Sequence, residues 1–201
     1  TGQPNAMGGR EVGGLATQLA AHMGFEKSDI ETVRQFWNAS AMAGTPGFKA
    51  LDLVDAIEAG RVRVLWIMAS NPVVSLPDAD RVRRALGKLD LLVVSDCVDS
   101  TDTLDLAHIR LPALGWGEKD GTVTNSERRI SRQRPFLPPP GEARADWWMV
   151  TQVARRLGFP EAFSYIGPAD IFREHAALSG FGNNGHRAFD ISGLMRLDEH
   201  Q

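Results

Sequence analysis

Val62-Arg-Val-Leu-Trp-Ile-Met68, running straight into Ala69-Ser-Asn-Pro72, is the stretch on which the fold turns. It is short, apolar and rich in β-branched residues, and it stops in a cluster of turn formers. That pattern predicts a buried strand followed by a loop that faces a ligand. A helix is expected at Asp78–Leu86, ended by Gly87, and a second buried strand at Leu89–Ser95, stopped by Asp96. Ile109–Leu111 is a third short strand closed by Pro112. Strands alternating with a helix imply an α/β fold, a mostly parallel sheet flanked by helices. Such sheets hold ligands beyond the carboxyl ends of their strands.

Working outward, residues 1–15 are Gly-rich and read as loop, turning helical near Leu15–Met23. Asp29 can cap a helix from Ile30 to Ala39 with Val33, Phe36 and Trp37 on one face. Phe48–Ala59 is amphipathic, with Ala50, Leu53, Val54 and Ile57 inward. Residues 113–143 show little helical periodicity, and Thr122–Thr124 reads as extended. Pro138–Pro140 with Gly141 is a rigid connector. Ala145–Leu157 is a helix with Trp147, Val150, Ala154 and Leu157 on one face, and Pro168–Leu178 is another.

The bulk numbers narrow the classes. At 201 residues with 43% hydrophobic content the chain can bury a real core. A net charge of −3 gives no electrostatic case for nucleic acid or an anionic membrane surface. The basic run Arg128, Arg129, Arg132, Arg134 lacks interleaved aromatics and reads as a salt-bridged or solvated strand and loop. A lone cysteine, Cys97, excludes an internal disulfide, and the histidines lack metal-ligand spacing, so no metal site is expected. No apolar run approaches the ~20 residues of a membrane span.

The polar residues at the strand exits are the candidate binding set. Asp96, after Ser95, can accept two hydrogen bonds, matching the paired N–H donors of a guanine or pterin edge; its plainer role is to cap a turn. Ser70, Asn71 and Pro72 leave room for a diphosphate or ribose near backbone N–H groups, or form a plain strand-to-helix turn. No G-x-G-x-x-G follows this strand, so the usual nicotinamide-dinucleotide fingerprint is absent. Lys119, in a Gly-flanked loop, could meet a phosphate or pterin heteroatom, or be solvated. Asp146, in the first turn of its helix, either serves the helix dipole or accepts from an amino-pyrimidinone edge. Gln3 and Arg10 bracket the Gly-rich start; an amide and a guanidinium together suit a small planar oxyanion.

Four motifs, GQPNAMGGRE from Gly2, SDC…TDT…AHIRLP from Ser95, WGEKDGTVTNSERRISR from Trp116 and GEARADWW from Gly141, occur in an order that resembles the molybdopterin-dependent oxidoreductases, most closely the assimilatory nitrate reductase group. The tail FREHAALSGF-x-NNG-x-RAFDISGL is similar to that group as well. Met7, where periplasmic relatives usually carry Cys, and His108, where many relatives carry Asp, favour the assimilatory type over periplasmic nitrate reductases and formate dehydrogenases. The resemblance implies a Rossmann-like dinucleotide-binding domain and a molybdenum bis(molybdopterin guanine dinucleotide) cofactor. Ser70, Asn71, Pro72, Ser95, Asp96, Lys119, Asp146 and Gln3 would then bind cofactor, and Gln3 and Arg10 would serve the substrate, nitrate.

The same resemblance implies a piece of a longer, cytoplasmic enzyme, with the molybdenum-ligating cysteine and a [4Fe–4S] cluster outside this chain. Residues 1–165 are expected to form the cofactor-binding domain and 166–201 a trailing segment. Partners would be nitrate, the rest of the polypeptide and an unnamed electron donor, with no nucleic acid and no membrane. Two rivals stand beside this reading: a formate dehydrogenase-like or other oxyanion reductase, and a stand-alone module for guanine nucleotides or pterins.

Overall fold

The computed structural model describes residues 4–196. The elements are α1 (Ala6–Glu11), α2 (Lys27–Phe36), α3 (Ala50–Glu58), β1 (Val64–Met68), α4 (Pro72–Ser75), α5 (Ala79–Leu86), β2 (Leu91–Asp96), β3 (Ile109–Pro112), β4 (Gly121–Thr124), β5 (Ile130–Gln133), α6 (Asp146–Arg156) and α7 (Pro168–Gly180). They fall into two compact units. Among the described residues, one contains 4–47, Asp120–Arg134 and 154–196; the other contains Phe48–Lys119 and Pro135–Val153. The division passes through α6.

In the second unit β1, β2 and β3 form a parallel sheet in that order. Met68 pairs with Ser95, and Asp96 with Pro112, so the strands end nearly level. The central strand β2 is the best buried, with Leu92 and Val94 wholly enclosed. Expected to be a buried strand, β1 is instead an edge strand, and Val64 at its start is well exposed. One core joins Val54 and Ile57 of α3, Val82, Ala85 and Leu86 of α5, Val73 of α4 and the inward residues of β1 and β2. Burying such branched side chains contributes roughly 1.5–3 kcal/mol each. Asp78 caps α5 by accepting the Arg81 N–H. Arg81 in turn binds Glu58, at 2.6 Å, and Asp55, clamping α5 to α3. The guanidinium hydrogen bonds hold the Glu58 carboxyl below the usual carboxylate range.

The first unit contains the β4–β5 antiparallel hairpin and α1, α2 and α7. Its apolar centre gathers Ala20, Met23, Val33, Leu178 and Phe189. The tail quoted above is knitted by buried Asn183, which donates to the carbonyls of Ser179 and Arg187 and accepts the Arg187 N–H.

Three local expectations are corrected. The Gly-rich start holds a helix, α1, while Leu15–Met23 is a series of turns closed by an Ala20–Met23 bridge. Ala21 and His22 have φ of 45° and 65°, which ends any helix there. In α6 the buried residues are Met149 and Thr151; Val150 and Leu157, two of the residues read as sharing one apolar face, are exposed. Trp37 is likewise exposed at the end of α2.

Candidate functional site

The level strand ends of the second unit carry the polar residues picked out from the sequence. At the exit of β1 the chain turns sharply through Ala69, whose φ of 50° is left-handed, a costly conformation for a residue with a Cβ. Ser70 follows, exposed, and then Asn71, half-buried at the start of α4 with Pro72 as its first residue. The Asn71 side chain is held: its Oδ1 accepts the Thr103 hydroxyl at 2.7 Å.

At the exit of β2, Ser95 is fully buried and its Oγ accepts the Trp66 indole N–H at 3.1 Å. That hydroxyl is therefore engaged inside the unit. Asp96 faces outward and is half-buried. Its Oδ1 accepts the Cys97 N–H at 2.7 Å, and among the described residues it forms no ion pair. A carboxylate without a counter-charge at a strand end is an acceptor in want of donors.

Beyond β3 the sheet edge is extended. Ala113 donates to the Asp96 carbonyl and bridges Arg144 in parallel fashion. Two residues after Arg144 comes Asp146, whose Oδ2 binds Lys119 Nζ at 2.8 Å. The loop bearing Lys119 is braced by Glu118, which accepts the Gly115 N–H at 2.7 Å. Asp146 Oδ1 is buried and has no hydrogen-bond partner. An orphaned acceptor of this kind costs about 1–3 kcal/mol unless a donor meets it. The structure thus brings Ser70, Asn71, Asp96 and the Lys119–Asp146 pair to one edge of one sheet.

Arg10 belongs to the first unit, exposed in the last turn of α1. Gln3 lies outside the described residues. The Gly-rich start and the part of the second motif from Asp120 onward meet in this unit. Asn5 Oδ1 accepts the Thr124 N–H at 3.0 Å, and Glu11, 4% exposed at its side chain, binds Arg128. Arg132 pairs with Asp120 at 2.8 Å. The basic run is thus partly salt-bridged, as its composition predicted. A cavity of about 110 Å³ lies beside α1, lined among others by Asn5, Gly8, Glu11, Thr122 and His175. Burial pushes the His175 imidazole below its ordinary value, and burial with the nearby Arg128 charge does the same to His22.

Sequence reasoning missed Thr103 and Trp66. Both act on site residues from far along the chain. The only signal was the TDT triplet, whose last residue is Thr103.

The family model described as Molybdopterin oxidoreductase matches residues 5–156. The chain belongs to the molybdopterin oxidoreductase family. A protein named nitrate reductase from Klebsiella oxytoca is 61% identical over 98% of this chain and 23% of its own length. A protein named F420-dependent formate dehydrogenase subunit alpha from Methanocaldococcus jannaschii is 37% identical over 86% of this chain and 25% of its own. Among solved structures, the acetylene hydratase of Pelobacter acetylenicus superposes with a TM-score of 0.57 at 21% identity, over 68% of this chain and 19% of that one. That likeness supports the fold. The chain spans about a quarter of the length of the curated relatives it matches. Among the described residues, no helix is long and apolar enough to cross a membrane, and no cluster of His, Cys, Asp and Glu could hold a metal ion.

Proposed function

We propose that this chain contributes the binding of a molybdopterin guanine dinucleotide to the catalytic subunit of a nitrate reductase. The observation that carries the reading is the gathering of Asn71, Asp96 and Lys119–Asp146 at the carboxyl edge of a parallel sheet, in a chain of this family. The donor and acceptor pattern fits the ligand. Asp96 can accept from the paired N–H groups of an amino-pyrimidinone edge, and the buried, unpartnered Asp146 Oδ1 can accept another donor. Lys119, already neutralised by Asp146, supplies directed N–H groups rather than a free charge. Ser95 acts by seating the strand end beneath Asp96, and Ser70 and Pro72 shape the turn that presents Asn71.

When bound, the cofactor supplies two-electron oxygen-atom transfer at molybdenum, and the protein supplies binding and orientation. Arg10 and Gln3 would hold the planar nitrate by charge-assisted and amide hydrogen bonds. The cofactor would be the bis(guanine dinucleotide) form, with a [4Fe–4S] cluster held outside this chain and the enzyme in the cytoplasm. The test uses the complete gene product and viologen-linked nitrate reduction. Arg10→Ala and Asp96→Ala should each lower kcat/KM by at least about tenfold. Rates unchanged in both variants reject these roles.

The 37% identity to a formate dehydrogenase subunit favours one alternative, oxidation of formate in place of nitrate reduction. Assaying the same preparation with formate and a viologen acceptor separates the two.

A further inference from the structure

We propose that Thr103 is a positioning residue of the nucleotide site, its hydroxyl holding the Asn71 carboxamide so that the amide N–H donors face a ligand oxygen. The inference rests on the nucleotide-binding reading above and adds to it a residue and a polarity.

Thr103 is fully buried and stands just before the single helical turn Leu104–Leu106. Its Oγ1 makes two hydrogen bonds to one short stretch of chain. It accepts the Val73 N–H at 3.1 Å and donates to Asn71 Oδ1 at 2.7 Å. Both partners lie in the turn that leaves β1. A hydroxyl carries one hydrogen, and a fully buried one must deliver it to an acceptor. With the Val73 N–H occupying a lone pair, the carboxamide is fixed with its oxygen inward. A flipped amide would leave the hydroxyl hydrogen to find another acceptor in a closed surrounding. Among the described residues no protein acceptor takes the Nδ2 hydrogens, and Asn71 is only half-buried. The site at the β1 exit is thus a donor site, suited to a phosphate or ribose oxygen. The β2 exit, with Asp96, is an acceptor site suited to a base. One edge therefore reads the two ends of a nucleotide with opposite polarity.

The experiment titrates this chain with GDP by isothermal calorimetry and records 15N relaxation of the Asn71 side-chain amide. Thr103→Val keeps the shape and loses both hydrogen bonds; Thr103→Ser restores them. Thr103→Val should bind GDP about tenfold more weakly, and Thr103→Ser within about threefold of the parent chain. The Asn71 amide should gain fast motion in Thr103→Val and not in Thr103→Ser. Hydrogen exchange of Leu92, at the centre of the sheet, reports whether each variant is folded. Thr103→Val binding as tightly as the parent, while Asn71→Ala loses binding, overturns the proposal. A parent chain that ignores GDP rejects the nucleotide reading instead; the relaxation data then decide the Thr103 role alone, with unchanged Asn71 dynamics overturning it.

Discussion

Replacing Arg128 by alanine should loosen the first unit, where it pairs with Glu11. Glu11 is 4% exposed at its side chain and Arg128 43%, and the two meet at 2.5 Å. Removing one partner of a fully buried pair costs about 3–5 kcal/mol, and an exposed pair is worth about 0–1. Here the carboxylate is enclosed and the guanidinium half in water, so the loss should be about 2 kcal/mol. For a chain of this size that lowers Tm by roughly 4–8 °C. The backbone allows a second measurement. Arg128 sits at φ 66°, which costs any residue with a Cβ about 1 kcal/mol. Arg128→Gly loses the pair but sheds that strain, so its net loss should be about 1 kcal/mol. Urea unfolding followed by circular dichroism gives both values, and hydrogen exchange at Thr124 localises the effect to the β4 contact with α1. A double cycle with Glu11→Gln should return a coupling of about 1–2 kcal/mol. Arg128→Ala within about 0.5 kcal/mol of the parent, or the glycine variant the less stable of the two, would show that the Glu11–Arg128 pair does not hold the unit together.

Acid should destabilise the same unit. His175 and His22 are both held below their ordinary 6.5, chiefly by burial, so the unfolded chain takes up protons first as pH falls. Their contribution is complete above about pH 6.5 and is lost below it; melts from pH 7.5 to 5.5 should show this, with a flatter slope in His175→Gln. Gly8→Ala puts a Cβ 2.0 Å from Asn5 Oδ1, which must swing off the Thr124 N–H. The expected loss is about 2 kcal/mol, and it should shrink in an Asn5→Ala background when both are compared by urea unfolding. Leu92→Ala, in the enclosed centre of β2, should cost about 3 kcal/mol by the same assay, the usual toll of a core cavity.

The sheet was legible because its strands are short runs such as LDLLVVS, whose burial leaves no other reading, each bounded by Gly, Asp or Pro. α3, α5 and α7 were legible from their periodicity and stops. The helix α1 was not, since Gly8 and Gly9 argue for loop. What sustains it is tertiary: Asn5 on Thr124 and Glu11 on Arg128, more than a hundred residues away in sequence. The face of α6 was misread because the helix carries residues of both units, and its buried positions follow no single stripe. In the candidate site, Asn71, Asp96, Lys119 and Asp146 stood out as polar residues at strand exits or in a matched motif. Thr103 and Trp66 did not, because a hydroxyl or an indole N–H declares its partner only when the chain folds back.

On the proposed function, the carboxyl edge of the β1–β2–β3 sheet grips the guanine end of the cofactor through its carboxylates. Calorimetric titration of the chain with GDP decides this, comparing the parent with Asp96→Asn, Asp146→Asn and, at an exposed helix residue, Asp80→Asn. The prediction is binding by the parent and by Asp80→Asn, weakened at least about tenfold in Asp96→Asn and Asp146→Asn. Equal affinity in all four proteins contradicts it.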